Sequence, residues 1–283
     1  MTTRALVVGG TSGIGYAMAC RVAAEASTSN VTISGRTKPQ NIPHANINFR
    51  PLEATSMSQI KQYTDEFKAQ GQRLDLLIMT QGIMTMAGRT ETPEGIDRKM
   101  ALHYYGKQLL IRELLPVMSE DGKVVIVFDG WLGSPDKLIW EDLDLKTHYS
   151  LGKAADHCMS MNDAMVQYYA AQQKATGVGQ RHFVHAWPGG VSSGLWRELP
   201  WGLRTVGRVG ANLVGVSSET CAEYLLNGVN ECCATGEKEG RYWSNIDNKG
   251  RLLAKKAVWS EEQMKKVADH TWGLIDEALT VEA

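Results

Sequence analysis

Three glycines near the amino terminus have the spacing of a turn that holds phosphate. Gly9, Gly13 and Gly15 form the pattern G-x-x-x-G-x-G between a short apolar run and an alanine-rich segment. The first glycine permits a tight turn, the second lets the backbone approach a pyrophosphate, and the third lets a helix pack closely against a sheet. The start of that helix offers free N–H groups and a partial positive charge. We therefore expect these residues to bind a dinucleotide: Gly9, Thr11, Ser12, Gly13, Ile14 and Gly15.

The end of the second predicted strand indicates which dinucleotide binds. Sites specific for NAD usually carry an acid there, and the acid binds the ribose 2′-hydroxyl. This chain has Ser34-Gly35-Arg36-Thr37 instead, without an acid. An arginine can pair with a 2′-phosphate and stack on adenine. The pattern predicts NADP(H), with Arg36 as the phosphate ligand, and a solvated surface arginine is the alternative.

A tyrosine and a lysine stand four residues apart in Tyr149-Ser150-Leu151-Gly152-Lys153. Positions i and i+4 of a helix share a face, so the two side chains would meet if the segment is helical. The ammonium would favour the phenolate and lower the pKa of the tyrosine. Such a tyrosine can protonate a carbonyl oxygen or accept the proton of an alcohol. An exposed helical pair without a function is the alternative.

Alternating strands and helices must position these groups. We predict strands at 4–8, 31–36, 47–52, 74–80, 123–128 and within 181–190, and helices at 14–26, 57–71, 94–118, 149–176 and 259–281. This order predicts an α/β fold, a single-domain Rossmann-type doubly wound parallel sheet with helices on both faces. Ligands of such sheets bind beyond the carboxyl ends of the strands. Every motif above lies at such an end or on the helix that follows it.

Composition limits the classes of partner. The 283 residues carry a formal net charge of −1 without a charge block, which gives no reason to expect nucleic acid or an anionic membrane surface. No apolar stretch reaches the roughly 18 to 20 residues that span a bilayer, and the amino terminus does not read as a signal peptide. The five cysteines are odd in number and lack C-x-x-C spacing. We therefore expect reduced thiols, no metal site and a cytoplasmic protein.

The combined motifs resemble the short-chain dehydrogenase/reductase family. The glycine turn is followed by LDLLIMTQG, which contains Asp75, and by Tyr149-x-x-x-Lys153 after the fifth strand. Gly106 and Pro116 suit the family's long helix, and Pro188-Gly189 suits its P-G after the sixth strand. The resemblance covers roughly residues 4–195. The segment around Tyr149 and the tryptophan-rich tail are similar to atypical members among fungal biosynthetic reductases.

The resemblance implies an NADP(H)-dependent oxidoreductase, such as a ketoreductase of secondary metabolite biosynthesis, that interconverts a ketone and a secondary alcohol. Tyr149 would be the acid/base, and Lys153 would activate it and bind the nicotinamide ribose. Further cofactor contacts would come from Glu53, Gly82, Pro188, Gly189 and Ser193.

The resemblance also implies an organisation for the whole chain. Residues 1–283 would form one domain, with residues 4–190 as the cofactor-binding and catalytic core and residues 191–283 as the substrate-covering region and C-terminal helices. Trp131, Trp196 and Trp201 would line a site for an apolar small molecule, with packing in the core or on the surface as the alternative. Relatives pair through the helices after the fourth and fifth strands, so a homodimer or homotetramer is expected.

Three positions depart from the family pattern. Phe128 and Asp129 stand where a serine usually orients the substrate carbonyl, so Asp129 or Ser134 would take that role, or Asp129 would cap its loop. His103 replaces an asparagine of a proton relay; histidine binds water and titrates near neutral pH, and simple packing is the alternative. Met79-Thr80-Gln81-Gly82 replaces N-N-A-G. These changes motivate two alternatives: non-redox chemistry on the same fold, as in a cyclase, isomerase or dehydratase, and an NADP(H)-sensing protein without turnover.

Overall fold

In the computed structural model, which describes residues 3–177, 179–191 and 215–281, the apolar runs form the strands of one sheet. The strands are β1 Arg4–Val8, β2 Asn30–Gly35, β3 Ile47–Pro51, β4 Leu74–Met79, β5 Met118–Val127, β6 His182–Ala186 and β7 Trp243–Ile246. Their order is β3-β2-β1-β4-β5-β6-β7, and every neighbouring pair is parallel. The predicted fold class is confirmed.

Helices follow the strands in the described part of the chain. They are α1 Gly13–Glu25, α2 Met57–Ala69, α3 Arg98–Met100, α4 Gly106–Leu114, α5 Leu151–Thr176, α6 Ser218–Glu239 and α7 Glu261–Ala278. A π-helical segment, Ala101–Tyr105, joins α3 to α4. The single helix predicted at 94–118 is therefore a composite, and it begins later and ends earlier than predicted. Among the described residues, no helix is long and apolar enough to cross a membrane.

Both faces of the sheet are buried, as expected for parallel strands. Alternate residues of β1 point to opposite faces: Leu6 and Val8 join one core, and Ala5 and Val7 join the other. The first core includes side chains from α2, α4, α5 and α7, and the second includes side chains from α1 and α6. Because helices cover both faces, a site is expected where the strands begin or end. We call the line of strand ends the carboxyl edge and the line of strand starts the opposite edge of the sheet.

The C-terminal helix α7 packs over the helices that follow β4 and β5. Tyr104 Oη and Thr271 Oγ1 are 2.6 Å apart, and Tyr105 Oη is 2.9 Å from Nε2 of His270. Arg112 of α4 contacts Asp276 at 2.7 Å. The expected pairing of two copies would need the outer surface of these helices to be free. In this chain, α7 already covers part of that surface.

Candidate active site

The glycine turn lies between β1 and α1, and its shape excludes side chains at two positions. Gly9 has φ of +80°, and a Cβ there would lie 2.5 Å from the backbone nitrogen of Gln81. A Cβ on Gly15 would lie 2.6 Å from the carbonyl oxygen of Gly9. The N–H groups of Gly9 and Gly10 donate to the carbonyl oxygen of Ser34 at 2.8 and 3.2 Å. The turn is therefore fastened to the end of β2, with the start of α1 at the carboxyl edge of the sheet.

Arg36 follows β2 beside this turn. A Cβ on Gly35 would lie 2.9 Å from the hydroxyl oxygen of Thr11, so the backbone of β2 approaches the turn closely just before the arginine. The Arg36 side chain is exposed. Glu53, after β3, accepts hydrogen bonds from the N–H and hydroxyl of Thr55 at 3.2 and 2.9 Å, so this carboxylate caps its own loop. A cation and a carboxylate thus stand where the adenosine half of a dinucleotide would lie.

Gln81 is a site residue that the sequence does not single out as a ligand. Its side chain is 7% exposed, and neither amide atom has a hydrogen-bond partner among the described residues. The neighbouring Thr80 hydroxyl donates to the carbonyl oxygen of Gly9 at 3.1 Å, so its bonding capacity is used within the protein. Leaving a buried polar group unsatisfied costs about 1–3 kcal/mol. A dinucleotide on the adjacent turn would supply partners, so the residues present fit such a cofactor.

Tyr149 lies just before α5, not within it. The N-cap of α5 is Ser150, whose Oγ accepts the backbone N–H of Lys153 at 3.2 Å. The i, i+4 geometry expected for Tyr149 and Lys153 therefore does not apply, and the Lys153 side chain is exposed. The ammonium of Lys99, from α3, lies 5.3 Å from the centroid of the Tyr149 ring. The structure brings Tyr149 together with Lys99 instead.

The Tyr149 hydroxyl has an unusual environment. Its oxygen is buried, and no described residue meets it with hydrogen-bond geometry. Burial raises the pKa of Tyr149, and the nearby Lys99 ammonium partly opposes this rise. Lys99 is itself held by the carbonyl oxygen of Gly88 at 2.8 Å and by Asp97 at 3.4 Å. Tyr149 is thus a neutral phenol at neutral pH, with a fixed cation beside it.

The loop after β5 holds both residues predicted to replace the family serine. Asp129 Oδ1 accepts the N–H groups of Trp131 and Leu132 at 2.9 and 3.2 Å, which matches the loop-capping alternative. The N–H of Ser134 donates to Oγ of Ser160 on α5 at 3.1 Å, which fixes this end of the loop. An ionised carboxylate cannot donate a hydrogen bond to a carbonyl, whereas a hydroxyl can. Of the two, Ser134 has the side chain suited to orient a substrate carbonyl.

Phe128, at the end of β5, contacts two buried basic residues. The His103 ring lies 4.8 Å from the Phe128 ring, and its Nε2 accepts the N–H of Ile83 at 2.9 Å. Burial lowers the pKa of His103 to about 3, which favours a neutral ring at neutral pH. The Lys107 ammonium lies 5.3 Å from the Phe128 ring and donates to the carbonyl oxygen of Val127 at 3.3 Å. Burial lowers the pKa of Lys107 to about 7.

A buried polar network that the sequence does not reveal lies on the other side of Phe128. Asp163 of α5 contacts Nδ1 of His185 at 2.5 Å, Nδ2 of Asn245 at 2.6 Å and the Lys256 ammonium at 2.5 Å. Lys256 also donates to the carbonyl oxygen of Gly133 at 2.8 Å. Ionisable side chains inside the apolar runs of α5 and β6, namely Asp163 and His185, are the signal that would have pointed to it. The network anchors the loop that carries Asp129 and Ser134.

Apolar side chains surround the carboxyl edge. Met84 and Met86 follow β4 and are 37% and 60% exposed, and Trp131 after β5 is 49% exposed. The Trp131 ring meets that of Trp187, after β6, at 5.1 Å between centroids. Exposed apolar side chains that gather at one place mark binding surfaces. The remaining predicted contacts Gly82, Pro188 and Gly189 follow β4 and β6 at this edge, whereas Ser193, Trp196 and Trp201 lie outside the described residues.

Sequence comparison finds relatives that are named as oxidoreductases or dehydrogenases. The family model described as short chain dehydrogenase matches residues 3–131. "Oxidoreductase AN1596" of Emericella nidulans is 31% identical over 204 residues, which cover 68% of this chain and 59% of that protein. "Polyprenol dehydrogenase" of Mus musculus is 26% identical over 239 residues, which cover 78% of this chain and 70% of that protein. The chain thus spans about three fifths of the length of the fungal relative.

Solved structures share the fold. A short-chain dehydrogenase/reductase of Burkholderia multivorans, solved with bound NADP, superposes with a TM-score of 0.61 at 17% sequence identity. The match covers 89% of this chain and 99% of the other. A short chain dehydrogenase family protein of Francisella tularensis gives a TM-score of 0.60, also at 17% identity.

Proposed function

Because the chain belongs to the short-chain dehydrogenase/reductase family and is similar to fungal oxidoreductases, we propose that it is an NADP(H)-dependent oxidoreductase. Its substrate would be a ketone and secondary alcohol pair on an apolar small molecule. The observation that carries this proposal is the glycine turn fastened to Ser34, two residues before Arg36. That arrangement supports a pyrophosphate site in the turn, with Arg36 as the nearby cation that would bind a 2′-phosphate.

The choice between NADP(H) and NAD(H) depends on Arg36. We expect Arg36→Ala to weaken NADPH binding by roughly 10- to 150-fold, because a hydrogen bond to a charged group contributes about 1.5–3 kcal/mol. NADH binding should change little, since NADH lacks the 2′-phosphate. Fluorescence titration of both nucleotides measures the two affinities. Arg73→Ala, an exposed arginine just before β4 at the opposite edge of the sheet, is the matched control. An unchanged preference in Arg36→Ala would contradict this cofactor assignment.

The proposed proton donor is Tyr149. A bound reduced dinucleotide would supply hydride to the carbonyl carbon of the substrate. Tyr149 would give its phenolic proton to the carbonyl oxygen, and Lys99 would stabilise the resulting phenolate. Ser134 would donate a hydrogen bond that orients the carbonyl. Tyr149 holds its proton before reaction, as a proton donor must; burial raises its pKa and so weakens it as an acid, and the Lys99 ammonium partly offsets that rise.

Three substitutions test this assignment. Tyr149→Phe should lower turnover by at least roughly 100-fold and leave NADPH affinity nearly intact, because only the proton donor is lost. Lys99→Met should lower turnover and move the pH profile of kcat, whereas Lys153→Met should not if its exposed side chain takes no part. NADPH oxidation with a panel of apolar ketones supplies the rates. Loss of turnover in Lys153→Met alone would restore the assignment that the family motif implies.

The apolar substrate class is supported by the side chains at the carboxyl edge. Met84, Met86 and Trp131 are exposed there, and a similar protein of Mus musculus bears the name polyprenol dehydrogenase. An apolar ligand would remove these side chains from water and gain about 25 cal/mol for each Å² of apolar surface buried. Substrates that differ only in chain length should therefore show KM values that fall as the chain lengthens.

A second candidate function is favoured by Phe128. It stands where a serine would orient the substrate, and Asp129 beside it is engaged in capping its loop. A dinucleotide-binding protein with non-redox chemistry, or one that senses NADP(H), needs no such serine. Tight NADPH binding without NADPH oxidation for any substrate in the panel would favour this second candidate. Stoichiometric NADPH consumption would exclude it.

A further inference from the structure

Two adjacent cysteines and a histidine meet at the opposite edge of the sheet. Cys232 and Cys233 lie on α6, and His182 is the first residue of β6. One ring nitrogen of His182 and the two sulfur atoms all lie within 4.8 Å of one another. Cys232 is 4% exposed, and Cys233 and His182 are each 2% exposed. The two cysteines are adjacent and do not have C-x-x-C spacing, and the histidine is far from them in the sequence. The sequence therefore predicted no metal site.

The His182 ring is oriented as the ring of a metal ligand would be. Its Nε2 is 2.9 Å from Oγ of Ser244 on β7, whereas Nδ1 is buried with no hydrogen-bond partner among the described residues. A Cβ on Gly236 would lie 2.5 Å from Cε1 and 3.3 Å from Nδ1, so this edge of the ring faces α6. Ligating histidines usually bond their second nitrogen to a neighbouring group, which fixes the ring. Ser244 has that position here.

We propose that His182, Cys232 and Cys233 form a site for a thiophilic divalent ion, with Zn²⁺ as the probe. Two thiolates and one neutral imidazole are ligands that Zn²⁺ accepts, and their charges cancel those of the ion. Binding would form two Zn–S bonds and one Zn–N bond, the ion would keep one of its own water molecules as the fourth ligand, and the two thiol protons would pass to solvent. Cys232 would give up the hydrogen bond that its thiol donates to the Val229 carbonyl oxygen at 3.3 Å.

The place of this cluster assigns it a structural role, not a catalytic one. His182 begins β6, and the candidate active site lies at the other end of the same strands. An ion held by His182 and both cysteines would tie β6 to α6, and Ser244 would extend the connection to β7. The two elements that the sequence does not predict, α6 and β7, would then be joined by one bond network. Metal binding should therefore raise stability without entering the reaction.

The test is zinc stoichiometry and thermal stability of the full chain. Protein stripped with a chelator is unfolded, refolded with or without Zn²⁺, and freed of loose metal, because the site is closed in the folded state. We expect one bound zinc per chain and a Tm above that of the metal-free protein. Refolding with Co²⁺ should give the sulfur-to-cobalt charge-transfer absorption of thiolate ligation. Fewer than half an equivalent of zinc, or cobalt without that absorption, would overturn the proposal.

Single substitutions locate the ion. Cys232→Ala, Cys233→Ala and His182→Gln should each abolish the zinc-dependent rise in Tm. Cys221→Ala, a buried cysteine on the same helix outside the cluster, should retain it. Each variant is first compared with wild type in chelator, so that a folding defect is separated from lost binding. If zinc binds at one equivalent to both cysteine variants, the ligands have been assigned wrongly.

Discussion

The buried Lys107 should make the stability of the protein depend on pH. Its ammonium is fully buried and reaches one carbonyl oxygen, without a carboxylate partner among its described contacts. Burial lowers its pKa from 10.5 to about 7. Between these two values the unfolded chain binds a proton that the folded chain does not bind. The contribution of Lys107 to the free energy of unfolding therefore rises with pH from about 7 to 10.5, by up to about 1.4 kcal/mol for each pH unit.

Urea unfolding at several pH values between 7 and 10 measures this contribution. In Lys107→Met the added dependence on pH should disappear, and the variant should be more stable than wild type near pH 7, since no lysine has to lose its proton on folding. Lys174→Met, at an exposed position of α5, provides the comparison and should keep the wild-type dependence. Equal slopes for wild type and Lys107→Met would show that the lysine keeps its proton in the folded state.

The tyrosine motif shows how far sequence spacing leads at this scale. It places Tyr149 beside the start of α5, but in the structure the cation that lies against the Tyr149 ring is Lys99. The reason is the N-cap: Ser150 accepts a backbone N–H from Lys153, so α5 begins after the tyrosine. Side chains of an N-cap and the residue before it do not share a face with the residues of the first turn. Lys99 reaches Tyr149 from a different element, which spacing along one helix cannot reveal.

Among the described helices, α7 begins with a capping box. Ser260 Oγ accepts the N–H of Gln263 at 3.2 Å, and the Gln263 side chain accepts the N–H of Ser260 at 3.0 Å. We expect Ser260→Ala to lower the free energy of unfolding by about 1 kcal/mol, because the N–H of Gln263 loses its side-chain acceptor. Urea unfolding compares it with Ser27→Ala, which changes an exposed serine between α1 and β2. Ser260→Asp should recover most of the loss; no difference among the three would argue against the cap.

Helices and strands were predicted well where the hydrophobic periodicity of a segment agrees with the turn and cap residues at its ends. The apolar run of β1, the glycine turn and α1 follow one another within 25 residues, so local sequence defines all three. Prediction failed for α6, where Gly228 and Gly236 interrupt the helical pattern. Those glycines allow close approach, since a Cβ on Gly236 would collide with the His182 ring. It also failed for β7, whose four residues are too short to show a period. Packing against distant elements decides both.

For the whole molecule, the position of α7 predicts the oligomeric state. Family resemblance favours pairing through α4 and α5, but α7 of the same chain contacts these helices through residues such as Trp272, whose ring lies 5.2 Å from the Arg112 guanidinium. We therefore expect a monomer, measured by light scattering after size-exclusion chromatography. A chain without residues 260–283 should self-associate, because the apolar surface under α7 becomes exposed. A dimer of the full chain would require another interface or a displaced α7.

The network around Asp163 has a consequence for the chain as it leaves the ribosome. The residues from β1 through Gly82, which include the glycine turn and Arg36, are made early in synthesis. The loop after β5 is not anchored at that stage, because its anchor needs Lys256, which lies 93 residues after Asp163 in a chain of 283. A domain folds as a unit, so this loop lacks its anchor until Lys256 has left the ribosome. A ribosome stalled before Lys256 should therefore hold a chain that already contains the glycine turn and Arg36 but whose loop after β5 has no anchor.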